Sequence, residues 1–130
     1  MLYGLFRKWQ TFFNTKGDLI KEVSRGLIMM GIKIWVDDIR PVPEGYEGTK
    51  SVEETILLIE ELEREGKEIE LLDLDHDLGD YAQFGGDAIK ILDYLAENEK
   101  YIPIKIHTAN PVGRANMERM IDRYWPDELK

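Results

Sequence analysis

The 130-residue chain contains no cysteine, which excludes both a disulfide framework and a thiolate metal site. No apolar run approaches the ~20 residues of a membrane-spanning helix. The N-terminus lacks the unbroken apolar stretch of a secretory signal, so a cytoplasmic protein is expected. Glutamine occurs only at Gln10 and Gln83, against abundant lysine and glutamate, a bias also found in heat-adapted proteins. Positive charge is scarce as well, and the formal net charge is −9. Residues 1–30 hold five basic and two acidic side chains (+3), and residues 31–130 hold twelve basic and twenty-four acidic (−12). So acidic a domain is not built to grip a long nucleic acid, where affinity comes mainly from Lys and Arg on phosphates. A small phosphorylated ligand, held locally or through a cation, stays open.

Length and an apolar share of 43% suit one domain with an ordinary core. Residues 1–30 read differently from the rest. Leu2, Leu5, Phe6, Trp9, Phe12 and Phe13 follow helical spacing with Arg7 and Lys8 opposite, the pattern of a basic amphipathic helix. This extension is expected either to dock on a partner, a membrane surface or the domain itself, or to precede the natural start, with translation beginning at Met29 or Met30. Mass spectrometry of natively expressed protein separates these readings.

From residue 31 onward, strands and helices alternate. Short apolar runs bounded by turn residues predict strands near Lys33–Val36 and Ile69–Asp75, and another over Ile102–Ile106. A short strand is expected near Glu47–Lys50. Pro41 and Pro43 resist a helix in the first crossover. Ser51 predicts a helix start, with Glu53 and Glu54 suiting its dipole and Gly66 its end. Asp87 is expected to cap a second helix, and a third should run from about Val112 to Tyr124. The result is an α/β domain over residues 31–130, an open parallel sheet of about four strands flanked by helices.

Each long apolar run ends in a polar cluster: Asp37-Asp38, Asp75-His76-Asp77 and His107-Thr108-Ala109-Asn110. In an open parallel sheet the carboxyl ends of the strands meet at one rim, where ligands bind. The four carboxylates and both histidines are therefore expected in one crevice. Asp37 and Asp38, completed by Asp75 or Asp77, suit a hard divalent cation, and a site that also used histidine would favour Mn²⁺ or Zn²⁺ over Mg²⁺. His76 and His107 are candidates for proton transfer. Arg40 and Arg114 are candidates to hold phosphate oxygens. Thr108 and Asn110 add hydrogen-bond donors, and Tyr81, with Phe84, offers a face for a base. Packing of the loop explains those two rings equally well.

Three segments, Trp35-Val36-Asp37-Asp38-Ile39-Arg40-Pro41-Val42-Pro43, Leu74-Asp75-His76-Asp77-Leu78-Gly79 and His107-Thr108-Ala109-Asn110-Pro111-Val112-Gly113-Arg114, together resemble the bacterial and phage cyclic-phosphate-processing receiver domains. The resemblance spans about residues 32–122. It implies a flavodoxin-like fold akin to the phosphoacceptor receivers of response regulators, with the strands in the order 2-1-3-4, and a role in processing cyclic phosphates on nucleotides or RNA ends. Asp37-Asp38 and Asp75 match a receiver's metal-binding pair and phosphoacceptor, and Thr108 matches its strand-four hydroxyl. A receiver has a further strand ending in lysine, whereas this chain has only Lys130 after strand four. His76, His107 and Arg114 are additional to the receiver pattern.

The expectation is a metal-dependent phosphodiesterase. Asp37, Asp38 and Asp75 would hold Mg²⁺ or Mn²⁺, His76 or His107 would move protons, and Arg40 and Arg114 would steady the growing negative charge. Its rivals are a signalling receiver phosphorylated on Asp75 and a module that binds a cyclic nucleotide without turnover. A weaker one is an aspartyl phosphatase using Asp73 or Asp75.

Overall fold

The structure is a computed structural model and describes residues 31–130. The amphipathic helix expected in residues 1–30 lies outside the described residues. The elements are β1 (Ile32–Val36), β2 (Tyr46–Thr49), α1 (Val52–Arg64), β3 (Ile69–Leu74), a 3₁₀ turn (Gly79–Gln83), α2 (Ile89–Glu97), β4 (Ile104–Ile106), α3 (Pro111–Tyr124) and a final 3₁₀ turn (Asp127–Leu129). The four strands form one parallel sheet in the order β2-β1-β3-β4.

Local chemistry sets the helix boundaries. The Ser51 hydroxyl accepts the Glu54 N–H at 3.1 Å, with Glu53 and Glu54 in the first turn of α1. The Asn110 side-chain oxygen accepts the Gly113 N–H at 2.9 Å, and Pro111 opens α3, where its missing N–H costs nothing. Two expectations are corrected. Asp87 does not cap α2, which has no side-chain cap. Its carboxylate instead accepts the Leu78 N–H at 3.1 Å and so closes the loop after β3. Strand four is also shorter than expected. The Pro103 carbonyl accepts from the Leu72 N–H, but Pro103 has no N–H of its own to extend the ladder.

Side chains alternate across a sheet, and this divides the molecule. Ile34 and Val36 of β1 and Leu72 and Leu74 of β3 are fully buried in the core with Ile59 of α1, Ile91, Leu92 and Leu95 of α2, and Met117 of α3. The helices pack side by side, α1 on α2 and α2 on α3. Burying each such aliphatic side chain stabilises the fold by about 1.5–3 kcal/mol. Trp35, Leu71, Asp73 and Lys105 alternate with the core residues and project from the other face. The β1–β2 connection passes on that side without a helix. Its Val42 lies over Gly48, where any Cβ would overlap it.

Candidate functional site

The same alternation sorts the polar residues beyond the strand ends. Asp37, Asp75 and His107 continue the face of Trp35, Asp73 and Lys105. His76 continues the face of Leu72 and Leu74, towards the helices. The rim therefore holds two clusters, where the sequence suggested one crevice.

The first cluster centres on His107. Its ring stacks on Trp35, with centroids 3.7 Å apart and planes 6° from parallel. Nδ1 lies 2.6 Å from Asp73 Oδ1, and Nε2 lies 2.9 Å from Asp37 Oδ2. Asp37 and Asp73 are 3% and 2% exposed, so both depend on these partners. Burial pushes the Asp37 carboxyl up. Donation from the Arg40 and Ile39 backbone N–H groups, then from the Arg40 and His107 side chains, outweighs it and holds the carboxyl below its ordinary value. Asp37, Asp38 and Asp75 each present an oxygen, and these atoms lie within 4.8 Å of one another. Such an all-oxygen set is able to hold a hard divalent cation. A protein cation already leans on two of these residues: Arg40 Nη1 lies 3.0 Å from Asp37 Oδ2 and 3.3 Å from Asp75 Oδ2.

The second cluster is His76, Asp77 and Asp87. His76 Nδ1 lies 2.9 Å from Asp77 Oδ1, and Asn110 Nδ2 donates to both Asp77 oxygens at 3.2 and 3.3 Å. The His76 hydrogen bond holds the Asp77 carboxyl below its ordinary value against partial burial, and Asn110 adds to the effect. The ring lies against the first turn of α3, and a Cβ on Gly113 would meet His76 Cγ at 2.5 Å. Gly113 is thus what admits His76 to that position.

The remaining candidates are placed as follows. Asp75, not Asp77, joins Asp37 and Asp38. The Arg114 guanidinium donates to the Ile106 carbonyl at 3.1 Å and lies 3.6 Å from Glu118, so it faces the β4 edge. Thr108 Oγ1 accepts the Asn110 N–H at 3.2 Å and shapes the turn into α3. Tyr81 and Phe84 are 38% and 44% exposed, available as ring faces. Two residues escaped the sequence reading. Trp35 stood in plain view beside the acidic pair, but its stacking partner is 72 positions away. Lys50 directly follows β2, the short strand next to β1, and its Nζ donates to the Asp38 carbonyl at 3.2 Å.

A parallel sheet in this order with paired acids beyond β1 and another beyond β3 is a receiver-like fold. The family model of the cyclic-phosphate processing receiver domain matches residues 32–123, and the chain belongs to that family. No curated protein and no solved structure matches it. Among the described residues, no helix is long and apolar enough to cross a membrane.

Proposed function

We propose that this domain hydrolyses a phosphodiester, a cyclic phosphate on a nucleotide or an RNA end, with a divalent cation at Asp37, Asp38 and Asp75. The observation that carries this reading is the convergence of those three carboxylates, two of them beside Arg40, in a chain of the cyclic-phosphate processing family. Bound there, Mg²⁺ or Mn²⁺ would supply Lewis-acid polarisation of the phosphoryl group.

The chain's own residues divide the remaining work. His107 has a carboxylate at each ring nitrogen, so it serves to position Asp37. His76, in the neighbouring cluster, uses one nitrogen on Asp77, which orients the ring. A substrate reaching across the rim from Asp37, Asp38 and Asp75 would meet the other nitrogen, which would give or take a proton at the leaving or attacking oxygen. A cation there would compete with Arg40 for Asp37 and Asp75, and the forked donors of a displaced Arg40 would be available to phosphate oxygens.

The test is product formation from a panel of cyclic nucleotides in Mn²⁺ or Mg²⁺. Asp75→Asn and His76→Ala should each lower turnover about a hundredfold or more. Unchanged turnover in both would overturn the assignment. Binding without product would transfer the site to a capture role.

A further inference from the structure

Among the described residues, Arg40, Arg114 and Lys50 lie near the strand ends, and the first two are engaged by carboxylates. Arg40 lies on Asp37 and Asp75, and Arg114 lies on the Ile106 carbonyl and Glu118. Lys50 is different. Thr49 pairs with Val36 across β2 and β1, so Lys50 stands level with Asp37 at the strand ends. Its ammonium donates to a neutral acceptor, the Asp38 carbonyl, and no carboxylate among the described residues forms an ion pair with it. The same Nζ sits 5.8 Å from the centroid of the Tyr81 ring. Phe84 lies next along, its ring centroid 6.4 Å from that of Tyr81.

We propose that Lys50 and Tyr81 form the recognition edge for a nucleoside carrying the phosphate, with Lys50 taking a phosphate oxygen and the Tyr81 face taking the base. The proposal rests on the phosphodiester reading above and names its ligand class. Three carboxylates with one divalent cation still carry net negative charge, so a phosphate approaching them gains from a cation on the rim, beside Arg40, that no carboxylate holds. Lys50 meets that need at small cost, because its flexible stem has one neutral hydrogen bond to exchange. An ammonium beside an exposed aromatic face matches the two ends of a nucleotide: phosphate on the cation, base on the ring. Phe84 adds a second exposed ring beside it, tilted 48° to the first.

The test is calorimetric titration of the full chain, in Mg²⁺, with 2′,3′-cyclic AMP and with base-free glycerol 1,2-cyclic phosphate. It reads Kd, or KM where the ligand is turned over, and thermal melts check that each variant is folded. Lys50→Gln should weaken both ligands roughly tenfold, the loss of a charge-assisted hydrogen bond. Tyr81→Leu should weaken cyclic AMP at least roughly fivefold and leave the glycerol compound unchanged. A Lys50→Gln protein that binds both ligands like wild type overturns the proposal, as does a Tyr81→Leu protein weakened equally for both. In either case wild-type binding leaves the phosphodiester reading standing. Wild-type protein that binds neither ligand overturns both. A trinucleotide ending in a 2′,3′-cyclic phosphate separates the two sources of this chemistry: tighter binding than cyclic AMP, with the same Lys50 and Tyr81 dependence, assigns the edge to RNA ends, and equal binding assigns it to free nucleotides.

Discussion

The imidazole of His107 lies flat on the indole of Trp35, centroids 3.7 Å apart, and reaches a buried carboxylate from each nitrogen. Strands β1, β3 and β4 each contribute to this arrangement, so it ties the rim together across the sheet. Removing the ring leaves Asp37 and Asp73 buried without it. His107→Ala should therefore destabilise the domain by about 3 kcal/mol, well beyond a typical surface change. Urea unfolding at neutral pH measures it, and a loss below about 0.5 kcal/mol would show the clamp to be unimportant for stability.

Asp37 links the site to acid stability. Its carboxyl is held below the ordinary value of 3.8, chiefly because backbone and side-chain donors outweigh burial. A depressed carboxyl contributes stability that is complete above the unfolded value and is lost as pH falls through the folded one. Wild type should thus lose its advantage over Asp37→Asn as pH drops from about 5 towards 2. Denaturant midpoints of both proteins across that range give the comparison. A constant gap would mean that Asp37 contributes nothing proton-linked.

Gly113 is expected to control His76. Any Cβ there meets the imidazole at 2.5–2.8 Å, and the contact is to the ring's root, which cannot swing aside cheaply. Gly113→Ala should displace His76 from its station by Asp77 and cut turnover at least tenfold, about 1.4 kcal/mol of barrier, with α3 intact by circular dichroism. Histidine ring NMR signals should move for His76 and stay for His107. Unmoved His76 signals would contradict this packing.

A divalent cation at Asp37, Asp38 and Asp75 would compete with Arg40 for Asp37 and Asp75. Arg40→Gln should tighten Mn²⁺ binding about threefold to fivefold, the modest size expected of a partly solvated ion pair, as read by the electron paramagnetic resonance of free Mn²⁺. Weaker binding in the variant would mean that Arg40 supports the cation site rather than shielding it.

Much of this was legible in the chain. The parallel sheet followed from alternating strands and helices and its strand order from the family resemblance, and Pro41 and Pro43 announced the missing first crossover helix. The gathering of acids at the strand ends followed from the parallel sheet. The division into two clusters was also implicit, because adjacent residues such as Asp75 and His76 leave a strand in opposite directions. Pairings across many residues were not legible. His107 with Trp35, Arg40 with Asp75, and Asp87 with the Leu78 N–H all depend on register and loop path, which local patterning does not encode. Lys50 was hidden for another reason: it follows a strand of only four residues, and only the pairing of that strand with β1 brings it level with Asp37.

The most direct test of the central claim is phosphorus NMR of the protein with 2′,3′-cyclic nucleotides, first in Mn²⁺ or Mg²⁺ and then with chelator. The account predicts a cyclic-phosphate signal that converts to monoester with metal, stops converting on chelation, and persists throughout with Asp75→Asn. Conversion that ignores the chelator, or that survives in Asp75→Asn, would contradict a cation held at Asp37, Asp38 and Asp75.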